Sequence, residues 1–536
     1  MSEPGAPGRA AKGSASTVRL EPLIARNTLL NVVTRVASLV GWVAVAPFIL
    51  ARLGPERFGF WSILTVISGL YLTFDFGLSQ ALTKFVAEFR ATGDARSLRG
   101  TATLAALFFL GMSAVWIGGV VAARNPLLAF FRVGPALHAE AFDALLAAAV
   151  VYALMNLWTF LGAVLTGLHR MDVTNVIALG VTTLQVGGVV VVLHAGGGLR
   201  ELLLSNGVAF GLGALVTGLA VRRLAPEIRF DWRAPSRALW TRMTRYSAAL
   251  QTVNVGVLVQ FQLPKILFVR LLSLAAAGSY ELGYRVALAA WTIPQLTVPP
   301  LLPAVSHLDA AGDYERIRRL YRRASRYLLA LAYPAAAGLA ALSSFLFAAW
   351  LGPGHGDSAR AAAALAAVLF VNVLTTAGSV VVRGIGKPGI EARYHLLAMS
   401  LHLPLGIVLV RALGFNGGLL AVFVAITAGT IDFLVRLHRQ LGEPLGRFLR
   451  EIVLPPALIS VVSGAVAAWI AAAIAGGFEP ADRTRALWSL AAGATVFGTA
   501  CAGCFVVTRY VTWNELRDVV RMTVRRAPAG ADEPAH

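Results

Sequence analysis

The chain has 536 residues, of which 57% are hydrophobic and only 14% are charged, and its formal net charge is +20. A soluble protein of this length would expose far more charge, because Lys, Glu, Arg and Asp are rarely buried without a partner. The composition therefore excludes an ordinary soluble globular protein and predicts a protein embedded in a membrane.

Apolar stretches of about 20 residues recur along almost the whole chain, and each is long enough to cross roughly 30 Å of hydrocarbon. Strands of a membrane β-barrel would be half as long and would alternate apolar and polar residues. The sequence therefore predicts an all-α polytopic membrane protein with about fourteen transmembrane helices. These lie at 27–50, 61–83, 100–122, 143–166, 174–195, 202–221, 246–269, 277–304, 327–350, 361–384, 392–413, 416–435, 452–475 and 486–508.

The predicted helices divide into two lobes of six, with two helices left over. The segments are a disordered cytoplasmic tail at 1–25, a first lobe at 26–222, an Arg-rich cytoplasmic linker at 223–245, a second lobe at 246–438, extra helices at 451–508 and a cytoplasmic tail at 509–536.

The two lobes carry the same polar tag, because Gly93-Asp94 recurs 219 positions later as Gly312-Asp313. Other landmarks recur at nearly the same offset, namely Arg26 with Arg245, Pro47 with Pro264, Arg52 with Arg270 and Gly59 with Gly278. A fixed offset predicts a duplicated unit, and paired repeats around a cleft are typical of secondary transporters. Both copies begin on the same side, which predicts a V-shaped, two-lobed transporter with a pseudo-twofold axis along the membrane normal.

The tag itself has a structural interpretation. Each glycine is suited to end a helix, and each aspartate is suited to cap the next one. After the second tag, Arg316, Arg319 and Arg323 predict one basic side of a short amphipathic helix on the inner leaflet.

The positive charge alternates along the chain. Of the 47 Lys and Arg residues, 34 fall in the N-terminal tail, in or at the borders of the even-numbered loops, and in the C-terminal tail. This alternation is the positive-inside pattern and predicts that both termini are cytoplasmic. The basic surface is expected to face anionic headgroups of the bilayer, and no nucleic-acid partner is predicted.

Two ionisable residues fall inside the first two predicted helices. Arg35 lies about 12 Å from the cytoplasmic end of its helix, and Asp75 reaches a similar depth from the other side. Arg35 facing the cleft, with Asp75 as its charge partner, is one hypothesis. A structural ion pair, or an arginine that extends to the inner interface, is an equally open alternative.

The first helix of the second lobe has a polar stripe. Gln251, Asn254, Gln262 and Lys265 share one face at the helical period. Such a stripe is expected to face protein or water rather than lipid, so these residues are predicted to line a substrate site.

The next helix places Glu281 and Arg285 one turn apart, at about the depth of Lys265. The order and spacing of Glu281 and Arg285 favour a salt bridge. If Glu281 neutralises one cation, the other remains available for an anionic substrate. A purely interhelical lock formed by the same three residues is the alternative.

The same helix is rich in proline. Pro294, Pro299, Pro300 and Pro303 remove backbone hydrogen bonds and are predicted to form a bent, hinge-like element, with a static kink as the alternative. No nucleophile, P-loop, dinucleotide or metal-ligand pattern is present, so we predict a protein that is not an enzyme and has no cofactor or metal.

Several segments resemble a known family. Arg26-Asn-Thr-Leu, Pro47-Phe-Ile-Leu-Ala-Arg-Leu-Gly54, Phe58-Gly-Phe-Trp61 and Asp75-Phe-Gly-Leu are similar to the opening of polysaccharide biosynthesis membrane proteins. Pro303-Ala-Val-Ser306, followed by the second tag and the arginines, resembles their middle. These are the lipid-linked oligosaccharide flippases of the multidrug/oligosaccharidyl-lipid/polysaccharide exporter superfamily.

The resemblance implies a flippase in the bacterial cytoplasmic membrane. It would move an undecaprenyl-diphosphate-linked oligosaccharide to the periplasmic leaflet by alternating access, for polysaccharide, O-antigen or exopolysaccharide biosynthesis. It also implies that cleft cations hold the diphosphate, a role that falls to Arg35, Lys265 and Arg285, and that a glycan polymerase or other assembly proteins are possible partners. A multidrug or small-molecule antiporter of the same superfamily, a membrane-embedded enzyme and a non-transporting assembly partner remain as alternatives.

Overall fold

The computed structural model describes residues 34, 38, 40–64, 77–295, 298 and 301–510, and at 248–259 and 293 it describes the backbone alone. The described residues form helices joined by short connections and contain no strand, which confirms the predicted all-α class. The helices are α1 (40–64), α2 (Leu78–Thr92), α3 (Ala95–Phe130), α4 (His138–Gly167), α5 (Met171–His194), α6 (Leu199–Leu224), α7 (Arg237–Leu271), α8 (Leu274–Gln295), α9 (Leu301–Ala310), α10 (Tyr314–Leu351), α11 (Gly356–Gly384), α12 (Gly389–Leu441), α13 (Leu445–Phe448), α14 (Leu454–Ala475) and α15 (Arg483–Val507).

Within the described part of the chain, nine helical segments are long and apolar enough to cross a membrane by length and composition. One of them, α12, covers two predicted crossings. Gly414 lies between these two crossings. Its backbone angles, φ 59° and ψ −135°, are not helical. The backbone bends so sharply there that a Cβ on Gly417 would lie 1.9 Å from the carbonyl oxygen of Leu409. The number of fourteen crossings stays a prediction.

The connections gather at two ends of the helix bundle. At one end, which we call the basic end, Glu88 and Arg242 form a salt bridge at 2.7 Å, and Arg318 donates a hydrogen bond to the carbonyl oxygen of Leu441. At the other end, which we call the opposite end, Arg57 and Glu140 form a salt bridge at 2.8 Å. Each end therefore collects contacts between helices that are far apart in sequence.

Among the described residues, the largest hydrophobic core that the two lobes share lies at the opposite end. One large cluster there includes Phe58 and Trp61 of α1 together with Leu274 and Tyr280 of α8. At the basic end the clusters are separate, one formed by α2, α3, α4, α6 and the start of α7, and the other by α9 to α13 and their neighbours. The lobes thus pack tightly at one end of the bundle.

The connection between the lobes is shorter than the predicted linker. Helix α7 begins at Arg237, and its N-cap Ser236 accepts a hydrogen bond from the Leu239 amide at 3.2 Å. Residues 237–245 are too polar to be predicted as part of a membrane crossing. They contain no helix-breaking residue, however, so they form the first turns of α7. Its Leu239 and Met243 are buried in the first-lobe cluster at the basic end.

The duplicated tag has the same geometry in both copies. Gly93 and Gly312 have φ of 71° and 69° and end their helices in the left-handed conformation that favours glycine. Asp94 accepts a hydrogen bond from the Ser97 amide, and Asp313 accepts one from the Arg316 amide, each at 3.0 Å. The predicted helix-ending and capping roles are therefore confirmed. Hydrogen bonding to Ser97 lowers the pKa of Asp94 below its ordinary value.

The short amphipathic helix predicted after the second tag is not a separate element. Residues 314–326 are the first turns of α10, which continues without interruption to Leu351. Arg, Leu, Tyr and Ala are all compatible with a helix interior, so nothing in this segment stops the helix. The arginines consequently belong to a helix that also packs against α14 and α15.

Candidate functional site

The hairpin of α7 and α8 brings together the three charged residues that the sequence placed at one depth. Lys265 lies six residues before the end of α7, and Glu281 lies seven residues after the start of α8. At 1.5 Å per residue both are about 10 Å from the turn, so the two side chains face each other. Arg285 follows one turn later on α8, on the same face as Glu281.

The three side chains form one buried ion cluster. Arg285 Nε donates to Glu281 Oε1 at 2.6 Å, and Lys265 Nζ pairs with Glu281 Oε2. The side chains of Lys265 and Glu281 are only 2% and 4% exposed, whereas that of Arg285 is 20% exposed. Two cations share one carboxylate, so the cluster has a formal charge of +1. The predicted Glu281–Arg285 salt bridge is thus observed, and Lys265 pairs with the same carboxylate, so neither cation is left without a carboxylate contact. A substrate role for these residues stays a prediction.

Arg285 connects this cluster to the first lobe. Its guanidinium carbon lies 5.4 Å from the ring centre of Trp42 and 5.0 Å from that of Trp61, both on α1. Lys265 Nζ lies 5.0 Å from the ring centre of Tyr284. These are cation–π distances, and such contacts strengthen when water is excluded. The surplus positive charge therefore lies at the interface between the lobes.

Sequence reasoning did not select the two tryptophans. Trp61 was noted only as part of a family motif. Trp61 and Arg285 are 224 positions apart, and an aromatic residue in an apolar helix gives no indication of so distant a partner. The fold alone supplies this contact.

Close helix packing seals the lobe interface next to the cluster. A Cβ on Gly59 of α1 would lie 1.9 Å from the carbonyl oxygen of Leu274 on α8. A Cβ on Gly278 would lie 3.2 Å from the backbone of Gly59. Gly59 and Gly278 are one of the repeat-related pairs found in the sequence, and here they contact each other across the two lobes.

The polar stripe of α7 is only partly described. Gln262 has a buried Oε1 with no hydrogen-bond partner among the described residues, which suits a position beside a polar ligand. Gln251 and Asn254 lie on α7, but their side chains fall outside the description. Gln260, which the sequence analysis passed over, donates to the hydroxyl of Tyr394 at 3.2 Å. Gln260 therefore faces the interior of the second lobe.

The remaining predicted residues are less informative. Arg35 and Asp75 lie outside the described residues, as do Pro299 and Pro300. Pro294 is in the last turn of α8 and Pro303 in the first turn of α9, so the proline-rich segment lies where one predicted crossing is divided into two helices. A hinge role for these prolines stays a prediction.

A second group of cations lies on α7 at the basic end. Lys84 of α2, with Arg242 and Arg245 of α7, lines a cavity of about 520 Å³ between the two helices. Lys84 Nζ lies 4.3 Å from the ring centre of Tyr246, and Arg242 pairs with Glu88. Sequence reasoning assigned this part of α7 to a linker and therefore did not connect it with α2. Helix α7 thus carries cations at both ends.

Comparisons with solved structures show the fold. An inward-facing multidrug resistance transporter of the MATE family of the MOP superfamily aligns with a TM-score of 0.63 at 13% identity, over 76% of this chain and 94% of that chain. The lipid II flippase MurJ in an inward closed conformation aligns with a TM-score of 0.60 at 13% identity, over 92% of this chain and 99% of that one. No curated protein matches the sequence significantly.

The sequence itself identifies the family. The profile of the family described as polysaccharide biosynthesis protein matches residues 24–308, which is more than half of the chain. This region contains the first lobe, the α7–α8 hairpin and the ion cluster. The chain therefore belongs to the polysaccharide biosynthesis protein family.

Proposed function

We propose that this protein is a flippase that carries an undecaprenyl-diphosphate-linked oligosaccharide across the bacterial cytoplasmic membrane. The observation that carries the proposal is the buried cluster of Lys265, Glu281 and Arg285, whose surplus positive charge lies between the lobes. An ionisable group inside a membrane protein is costly and is usually retained for a substrate or ion pathway. A diphosphate is the part of such a substrate that a guanidinium and an ammonium recognise best.

The packing of the lobes supports alternating access. The shared hydrophobic cluster and the Gly59–Gly278 contact close the opposite end, whereas the two clusters at the basic end are separate. With the basic end in the cytoplasm, as the positive-inside pattern predicts, this state receives substrate from the inner leaflet. Lys84 and Arg245 would contact the diphosphate first, and Lys265 and Arg285 would hold it deeper in the cleft.

The charge of the cluster favours this substrate over the cationic compounds of a multidrug antiporter. A cation exchanger needs a carboxylate that is free to bind its substrate, whereas the single carboxylate of Glu281 is shared by two cations. A positively charged drug would be repelled by the surplus charge. An anionic headgroup would be attracted.

The test uses a strain in which the gene is deleted and no related flippase remains. We expect its lipid-linked glycan to be inaccessible to a membrane-impermeant lectin added to spheroplasts, and the wild-type gene to restore access. Lys265→Gln and Arg285→Gln each leave Glu281 with one cation, so both variants should fold. Each should lower the restored access by about tenfold or more, as expected for loss of one charged contact.

Arg270→Gln is the matched control, because Arg270 is an exposed arginine of α7 with no ion-pair partner among the described residues. It should restore access fully. Lectin access in the deletion strain would contradict the flippase function itself. Full restoration by both cluster variants would leave the function standing and refute the site.

A further inference from the structure

A cavity of about 660 Å³ lies at the basic end of the first lobe, away from the ion cluster. It is enclosed by the basic-end turns of α3, α4 and α6 and by the segment that connects α6 to α7. Helix α7 packs against α2 and α3, but among the described residues no helix of the second lobe packs extensively against α4 or α6. The cavity therefore belongs to the outer side of the first lobe rather than to the cleft between the lobes.

The cavity is the basic end of a groove between α3 and α6. Helix α4 packs extensively against both of these helices, whereas α3 and α6, which are described over their full length, do not pack extensively against each other. Helix α4 therefore forms the floor, and its Phe160, Leu161 and Val164 line the cavity. Leu157, one turn from Leu161 on the same face of α4, is still 41% exposed. The floor of the groove thus stays apolar and accessible beyond the cavity itself.

Two arginines stand at the polar mouth of this groove. Arg222 is exposed in the last turn of α6, and Arg229 is exposed in the connecting segment, where its Nε donates to the carbonyl oxygen of Pro226 at 3.0 Å. A neutral acceptor orients the guanidinium without cancelling its charge. Asp231, two residues after Arg229, pairs with Arg99 of α3 at 3.6 Å. Within the described part of the chain, neither Arg222 nor Arg229 has a carboxylate at ion-pair distance, so the mouth carries two cations without counter-charge.

The connecting segment that carries Arg229 has a fixed position on α3. The Asp231 amide donates to the hydroxyl of Thr103 at 3.0 Å. A Cβ on Gly100 would lie 2.7 Å from the carbonyl oxygen of Ala234, so the segment and the helix are in close backbone contact. Arg229 is therefore held over the cavity by a segment that is itself anchored.

Exposed aromatic rings beside the arginines are typical of a membrane surface. Phe230 lines the cavity and contacts Trp232 edge to face, with their ring centres 4.6 Å apart. Trp232 is 72% exposed. Tryptophan is enriched where lipid headgroups meet hydrocarbon. Arg222 and Arg229 are therefore expected at the level of the headgroups, with the apolar groove extending from them into the hydrocarbon.

We propose that this groove binds one anionic phospholipid, with its phosphate on Arg222 and Arg229 and one acyl chain along α4. Guanidinium groups recognise phosphate through paired hydrogen bonds. The apolar floor favours a lipid over a free phosphate ion, because a soluble ion would use none of that surface. Since Arg222 ends α6 and Arg229 belongs to the segment that joins the lobes, a bound lipid would hold this segment against the first lobe.

The test measures lipid binding to the full-length protein in neutral detergent by native mass spectrometry. Phosphatidylglycerol should bind to the wild-type protein more tightly than phosphatidylcholine with the same acyl chains, which has no net charge. Arg222→Gln combined with Arg229→Gln should weaken phosphatidylglycerol binding by about tenfold or more, because each basic residue near an anionic lipid contributes roughly fivefold. Both side chains are exposed, so this variant is expected to fold.

The matched control is Arg223→Gln combined with Arg233→Gln. Both residues are exposed and close in sequence to the first pair, but neither lines the cavity. This variant should bind phosphatidylglycerol as the wild type does. Equal weakening in the two variants would reduce the effect to general attraction by a basic surface and overturn the proposal, as would no weakening in either.

A further variant distinguishes a lipid from a soluble phosphate. Ala106 of α3 lines the apolar part of the cavity, so Ala106→Phe should fill the place of the acyl chain and weaken phosphatidylglycerol binding. Ala114→Phe, at an exposed position about two turns farther along α3, is its control and should have no effect. Unchanged binding in Ala106→Phe, or displacement of the lipid by excess inorganic phosphate, would assign the arginines to a soluble anion and overturn the lipid site.

Discussion

Lys265, Glu281 and Arg285 have unequal importance for stability, because one carboxylate serves two cations. Replacing either cation leaves a complete ion pair. Replacing the carboxylate leaves two cations side by side in a site from which water is largely excluded. Breaking a buried pair by removing one partner costs about 3–5 kcal/mol, mostly from the uncompensated charge that remains.

We therefore expect Glu281→Gln to lower thermal stability more than Lys265→Gln or Arg285→Gln. The measurement is thermal unfolding of the purified proteins in detergent, followed by size-exclusion chromatography. The double variant Glu281→Gln with Lys265→Gln should regain part of the loss, since it removes one of the two opposed cations. A Glu281→Gln protein as stable as the wild type would mean that the carboxylate does not hold the cluster together.

Individual elements show where the sequence was informative and where it was not. The apolar stretches, the Gly-Asp tags and the meeting of Lys265 with Glu281 follow from periodicity and spacing, and all of them are visible in a single chain. Hydropathy gives no information on backbone continuity, so it separated Arg316 from the rest of α10 and assigned Arg237 to a linker. Contacts such as that of Arg285 with Trp61 depend on how the lobes pack, which no local pattern encodes.

The bend in α12 depends on a single residue. Gly414 adopts φ 59° and ψ −135°, a conformation that costs an L-residue about 1–3 kcal/mol. We expect Gly414→Ala to lower the free energy of unfolding by about that amount and to reduce the folded protein recovered from membranes. Thermal unfolding in detergent provides the measurement. Gly498→Ala on α15 is the control, because a Cβ there meets nothing within 4 Å.

At the scale of the whole molecule, two positions that the predicted duplication makes equivalent meet at the interface between the lobes. Gly59 and Gly278 are 219 positions apart in the sequence, yet their backbones touch at the opposite end of the bundle. Such a meeting is expected where the predicted pseudo-twofold axis passes between two equivalent positions. The contact itself is not symmetric, because a Cβ on Gly59 would lie 1.9 Å from the carbonyl oxygen of Leu274, whereas a Cβ on Gly278 would lie 3.1 Å from the Phe58 side chain and 3.2 Å from the Gly59 backbone. Gly59 is therefore the position at which an added side chain forces the lobes apart.

Gly59→Ala should favour a state in which the opposite end is open. The added Cβ would lie 1.9 Å from the carbonyl oxygen of Leu274, a distance that backbone atoms relieve only by moving apart. Spin labels at His138 and Pro353, both exposed at that end and on different lobes, should move farther apart in the variant. Labels at Ala95 and Ala311, exposed at the basic end, should approach each other as the lobes rock.

Gly118→Ala on α3, where a Cβ meets nothing within 4 Å, should leave both distances unchanged. If Gly59→Ala also leaves them unchanged in a folded protein, this contact does not control closure.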